Sequence, residues 1–216
     1  MGIPERKERE RRKRKKDILE AAKNVFSNKG YMNATIEEIA QEAELSTGTI
    51  YLYFSGKEEL YVSLILESYD ILISEVNKVL GEDIDKGEIL VKIARTYYRF
   101  CKNYPDHYRV LNFIVNEHFN LKLASELIEK IGEKTDMIFK MVSGVIKTGI
   151  QEGIFKPVNA LDITSLFWSN LHGIIQVQTT IDYLKSKKTD VETLITKNIE
   201  LIVAAIKVNE YPSRNN

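Results

Sequence analysis

Apolar residues in this chain recur at intervals of three and four, not at two. Ile18, Ala21, Ala22, Val25 and Phe26 form one such stripe; Leu161, Phe167, Trp168, Leu171, Ile174 and Ile175 contribute to another. That spacing places side chains along one face of an α-helix. The four prolines, Pro4, Pro105, Pro157 and Pro212, need not sit inside any long periodic segment, so nothing interrupts the pattern. No stretch alternates for long enough to make a strand with a turn behind it. The chain therefore reads as all-α.

The joints agree with this reading. Thr35 with Glu38, Ser55 with Glu58 and Thr189 with Glu192 have the spacing of capping boxes, in which a hydroxyl and a carboxylate satisfy the free N–H groups of a helix start. Gly30 and Gly153 stand where helices end in a residue of positive φ. Pro105 fits a first helical turn. About nine helices follow, over roughly 8–29, 36–43, 47–54, 56–80, 85–103, 105–117, 120–152, 160–180 and 190–208. The first three are short and close together, and most of the later ones are long. This change divides a small N-terminal domain, 1–56, from a larger helical one, 57–216.

Net charge over the 216 residues is zero, but it is unevenly placed. Residues 1–16 hold nine Lys/Arg against three Glu, a charge of +6, so the remainder carries −6. Taken alone, such a segment reads as a solvated, disordered arm; beside a nucleic-acid partner it reads as a phosphate-binding one. Cys101 is the only cysteine, which excludes an intramolecular disulfide and points to the cytoplasm. No apolar run approaches the ~20 residues of a membrane span. The sequence has neither HExxH, CxxC, a phosphate-cradling glycine loop nor a nucleophile elbow, and His107, His118 and His172 lack metal-ligand spacing. No catalytic residue, metal or cofactor is expected.

Residues 44–57, "ELSTGTIYLYFSGK", are too rich in hydroxyls for a core helix and too poor in charge for an ordinary surface one. Leu45, Ile50 and Phe54 can seat the helix over 47–54 on its neighbours. Its other face then presents Thr47, Gly48, Thr49, Tyr51 and Tyr53, with Ser46 at its entry. Two short helices joined by a tight turn describe a helix-turn-helix, whose second helix enters the major groove N-terminal end first. Gly48 would let backbones approach, and Thr47 and Thr49 could touch base edges or a thymine methyl. Tyr51, Tyr53, Lys57 and Thr35 could reach flanking phosphates. The helix has no Arg, so much of the affinity would come from phosphate contacts that position without reading sequence.

"ILEAAKNVFSNKGYMNATIEEIAQEAELSTGTIYLYFSGKEELY", residues 18–61, resembles the N-terminal domain of the tetracycline-repressor (TetR) family. The likeness lies in Phe26–Gly30–Tyr31, Thr35, the "IA" of the second helix, "STGTIYLYF" and "KEEL". Two departures are Glu44, where a turn glycine is common, and Gly56, where a longer polar residue is common. The resemblance implies a homodimeric transcriptional regulator that binds a palindromic operator, usually represses, and is released by a small molecule in the C-terminal domain. It places the dimer interface on the helices over 160–180 and 190–208. An aromatic-rich middle, "TYYRFCKNYPDHYRVLNF", suggests a mostly apolar effector pocket drawn from Tyr97, Cys101, Phe113, Met137, Met141, Trp168 and His172, taking a lipophilic or aromatic ligand. The competing reading is an architectural DNA-binding protein with a filled core and no effector.

Overall fold

The computed structural model describes residues 3–117, 125–183 and 190–208, with side chains over 4–112, 125–177 and 190–208. Phe113, His118 and Thr189, singled out above, therefore lie outside the described side chains. Among the described residues the elements are α1 Ile3–Asn33, α2 Ile36–Glu42, α3 Thr47–Tyr51, α4 Lys57–Leu80, α5 Lys86–Asn103, α6 Pro105–Glu117, α7 Ser125–Gln151, α8 Ala160–Tyr183 and α9 Val191–Ile206. The only other pairing among them is an isolated antiparallel bridge between Phe155 and Lys207.

By their internal contacts the residues separate into two compact units, 1–71 with 101–134 and 72–100 with 135–216. The first is larger than the 1–56 span expected, because it takes in the start of α4 and all of α6. Side chains explain why. The Tyr61 hydroxyl on α4 donates to the Val110 carbonyl on α6 at 2.8 Å. Ser68 and His107 meet at 2.9 Å between the same helices.

In the first unit, α1 begins near Ile3 rather than at residue 8. Pro4 suits a first turn, where an N–H would have no partner. Ion pairs one turn apart, Arg6–Glu10 and Glu8–Arg12, lie along the exposed basic segment. What composition alone suggests as a disordered arm is thus a helical extension. Gly30 has φ 75° and ψ 160°, a conformation that a side chain disfavours, and after it the chain makes one more turn to Asn33. The capping box of α2 forms as expected: the Glu38 N–H donates to the Thr35 hydroxyl and the Thr35 N–H to the Glu38 carboxylate. Glu44 takes φ 55° in the following turn, so it fills the place of the glycine usual there.

The box expected at Ser55 and Glu58 is shifted by one residue. Gly56 takes the cap position of α4, which makes Glu59 the third helical residue. Its carboxylate accepts from both the N–H and the hydroxyl of Ser55, at 2.7 and 2.8 Å. Hydrogen bonding from the Ser55 backbone holds the Glu59 carboxyl below its ordinary range. The core of this unit gathers Ile18, Phe26, Ile39, Ile50, Phe54 and Leu64, each under 5% exposed.

In the second unit α8 packs along α9. Arg95 on α5 donates to the Thr196 hydroxyl on α9 at 2.9 Å. Gly153, φ 72°, ends α7 as expected. The chain then turns so tightly that a Cβ on Gly149 would lie 2.3 Å from Cδ2 of Phe155. Residues 154–156 pair with the end of α9 through Lys156 N–H to Ile206 O and Val208 N–H to Ile154 O.

Candidate functional site

The candidate nucleic-acid interface is built on α3. Ser46 caps it, accepting from the Thr49 N–H at 3.2 Å and lying 2.8 Å from the Thr49 hydroxyl. Ile50 is fully buried and Phe54 1% exposed, so they fix the helix to the core. The outward face is then determined by helical geometry. Ser46, Gly48, Tyr51 and Leu52 are exposed, and Thr47, Thr49 and Tyr53 are half-buried. The regular helix is shorter than the 47–54 expected. After Tyr51 the backbone tightens, with Leu52 and Tyr53 bonding three residues back.

The two threonines differ in a way that spacing could not reveal. The Thr49 hydroxyl is paired with Ser46, whereas that of Thr47 has no such tie among the described residues. Leu52, 77% exposed, was not among the sequence candidates. Its signal was available: it lies three and four residues after Thr49 and Gly48, on the face that Ile50 and Phe54 leave outward.

Lys57 is placed differently from expectation. Its ammonium donates to the carbonyls of Tyr31 and Ala34 at 2.9 and 3.0 Å and lies 4.5 Å from the Tyr31 ring centroid. The Tyr31 hydroxyl in turn donates to Glu58. Burial, then the Glu58 charge, pushes the Tyr31 phenol well above its ordinary range. Lys57 thus clasps the end of α1 and the entry of α2 to the start of α4. Thr35, likewise, is engaged in its cap.

Cationic side chains lie elsewhere. Lys7, Arg11, Lys13 and Arg14 on α1 face Tyr53 across an open cleft of about 590 Å³, with Glu10 and Asp17 in its lining. Lys7, Arg11 and Arg14 are one stripe of the helix. Lys15, exposed, lies over Phe54 instead, its ammonium 5.0 Å from the ring centroid.

A second cluster lies in the other unit. Tyr97 packs edge-on to Trp168 at 5.3 Å and to His172 at 5.4 Å. Its hydroxyl is 3.3 Å from His172 Nδ1. Burial lowers the His172 pKa, so the ring is neutral. The Trp168 indole N–H is buried without a hydrogen-bond partner among the described residues. Of the residues expected to line a pocket, Tyr97, Trp168 and His172 come together. Met137 is exposed, because the phase of α7 turns Ile138 and Val142 inward. Met141 is half-buried, and Phe139, not foreseen, reaches Trp168 at 6.4 Å. Cys101 is buried and groups with the first unit.

Residues 18–64, which contain α2, the turn and α3, match the model of bacterial regulatory proteins of the tetR family. The chain belongs to the TetR family. This TetR-family chain is a DNA-binding transcriptional regulator, and its similarity to known regulators runs well past the matched segment. It is 27% identical over 199 residues to the fatty acid metabolism regulator protein of Bacillus subtilis, covering 92% of this chain and 98% of that one. It is 30% identical over 135 residues to the transcriptional activator FasR of Mycolicibacterium smegmatis, 62% and 60% of the two chains. The crystal structure of FadR from Bacillus subtilis in complex with stearoyl-CoA has the same fold, with a TM-score of 0.73 at 24% identity, over 88% of this chain and 98% of that one.

Proposed function

We propose that the chain is a homodimeric repressor whose two α3 helices read a palindromic operator, and that a long-chain acyl thioester bound in the second unit releases it. The observation that carries the DNA reading is the outward face of α3, where a capped helix seated by Ile50 and Phe54 presents Thr47, Gly48, Tyr51 and Leu52. Thr47 and the apolar Leu52 suit base edges and thymine methyls. Tyr53 and the basic stripe Lys7–Arg11–Arg14 suit one strand of phosphates lying in the cleft between them. Lys57 supports this surface from behind instead of touching DNA.

The dimer reading rests on α8 and α9. Leu161, Leu166 and Val177 on α8, with Leu194 and Leu201 on α9, are all more than 40% exposed. Single exposed leucines are ordinary, but several on two adjacent helices ask for a covering surface. The same helices from a second copy would supply it, and the two-fold symmetry would match an operator palindrome.

The acyl reading rests on the fatty-acid regulator and the FadR–stearoyl-CoA complex among the similar proteins. The ring cluster supports it chemically. A buried indole N–H without a partner among the described residues, beside a phenol and a neutral imidazole, is a polar anchor among apolar walls, as a thioester carbonyl on a long chain requires. The test is binding of a duplex selected from random sequence by the protein itself. Selected half-sites related by a two-fold axis, with centres about 34–36 Å apart or a multiple of it, are expected. Selection of no sequence at all would favour the architectural alternative.

A further inference from the structure

A separate pocket of about 170 Å³, partly open to solvent, lies in the first unit where α1, α4 and α6 meet. Phe26, Tyr31 and Tyr61 wall it, their ring centroids 4.8 to 5.8 Å apart. Gly30 leaves one side open, since a Cβ there would meet nothing within 4 Å. The phenol groups have partners, Tyr31 on Glu58 and Tyr61 on the Val110 carbonyl. Ser27 also lines the pocket, and its hydroxyl is buried with no hydrogen-bond partner among the described residues. Arg109 stands at the cavity with a largely exposed side chain. Its ion pair with Asp106, three residues back, is a solvated one of little strength, and a guanidinium has donors to spare.

We propose that this cavity is a binding site for a small aromatic carboxylic acid, of the size of benzoate or a hydroxybenzoate. The volume decides the size: an apolar cavity of about 150 Å³ takes up one benzene ring. The walls decide the shape, because rings stack or meet edge-on with other rings. The cation decides the charge, because a guanidinium pairs a carboxylate with two parallel hydrogen bonds. The site is independent of the acyl reading and lies in the unit that carries α3. Occupancy adds a ligand beside the Tyr61–Val110 hydrogen bond and so stabilises the packing of α6 on α1 and α4.

The experiment titrates the full-length protein with sodium benzoate at constant ionic strength, by calorimetry and ligand-observed NMR, with benzyl alcohol as the neutral analogue. Saturable benzoate binding in the millimolar range or tighter is expected. Benzyl alcohol should bind at least about fivefold more weakly, and Arg109→Gln should weaken benzoate by a similar factor. Ser27→Leu, which fills the cavity, should abolish binding. Should that variant fail to fold, the exposed Arg109→Gln change still decides the matter. No saturable signal up to about 10 mM overturns the proposal. So does equal benzoate affinity in wild type and Arg109→Gln, or a crystal grown in benzoate that shows only ordered water in the cavity.

Discussion

At the scale of single residues, the two threonines of α3 should behave differently. Thr47→Ala should relax the preference at one or two base positions, by ~1–3 kcal/mol at most. Thr49→Ala removes a partner of the Ser46 cap and should act mainly on the helix, lowering binding to all sequences alike. Affinities for a panel of single-base operator variants separate these outcomes; the reverse pattern would mean that α3 is seated otherwise. A second residue-scale expectation concerns His107. Ser68 donates to the Leu64 carbonyl at 2.7 Å, so at the 2.9 Å contact the His107 Nδ1–H must be the donor and Nε2 is unprotonated. Burial, then the Lys23 charge, lowers the His107 pKa from its ordinary 6.5. The unfolded chain therefore binds this proton more readily than the folded one, and stability falls as pH drops from about 6.5 toward the folded value. Urea midpoints should fall between about pH 7.5 and 5.5, and fall less in His107→Asn. His172, also lowered by burial, should leave a residual slope. An unchanged slope in the variant would remove His107 from this account.

At the scale of elements, local chemistry was legible in the sequence and distant chemistry was not. The Thr35–Glu38 box and the positive φ of Gly30 and Gly153 depend on neighbours a few residues away, and they appear as read. The Lys57 clasp depends on carbonyls 26 and 23 residues distant, so its charge looked available for phosphate. Ser55 was matched to the wrong glutamate because only the backbone shows that Gly56 is the cap. Met137 faces outward, and Phe139 reaches Trp168 instead, because tertiary packing, not composition, sets the phase of α7. The clasp itself is testable. Lys57→Met should destabilise the protein by ~1–3 kcal/mol, since two buried-side carbonyls lose a charged donor, and should weaken all DNA sequences in proportion to the unfolded fraction. A variant of full stability that nevertheless loses DNA affinity would restore the phosphate role. The helical extension of α1 predicts a different signature. Deleting residues 1–14 removes Lys7, Arg11, Lys13 and Arg14 from the cleft. For every phosphate that thereby goes unneutralised, the slope of log K against log salt should flatten by about 0.9, with operator and random DNA affected alike. An unchanged slope would leave the extension as a solvated arm.

At the scale of the whole molecule, family membership and fold follow from residues 18–64 and from similarity along most of the chain. The proposed effector and dimer rest on the second unit, where the sequence carried fewer local signals. Tyr97 and His172 are 75 residues apart, and only the fold brings them to 3.3 Å. The dimer should bury at least about 1,000 Å² through α8 and α9, and Leu201→Glu should convert it to monomers in light scattering while leaving helix content intact. Release by a ligand requires that the ligand bind the free form more tightly than the DNA-bound one, and linkage makes the effect reciprocal. The most direct measurement is the affinity of the full-length protein for its selected duplex, with and without saturating stearoyl-CoA. A loss of about 5- to 150-fold on adding the thioester is predicted; the same affinity in both conditions would contradict an acyl-responsive regulator.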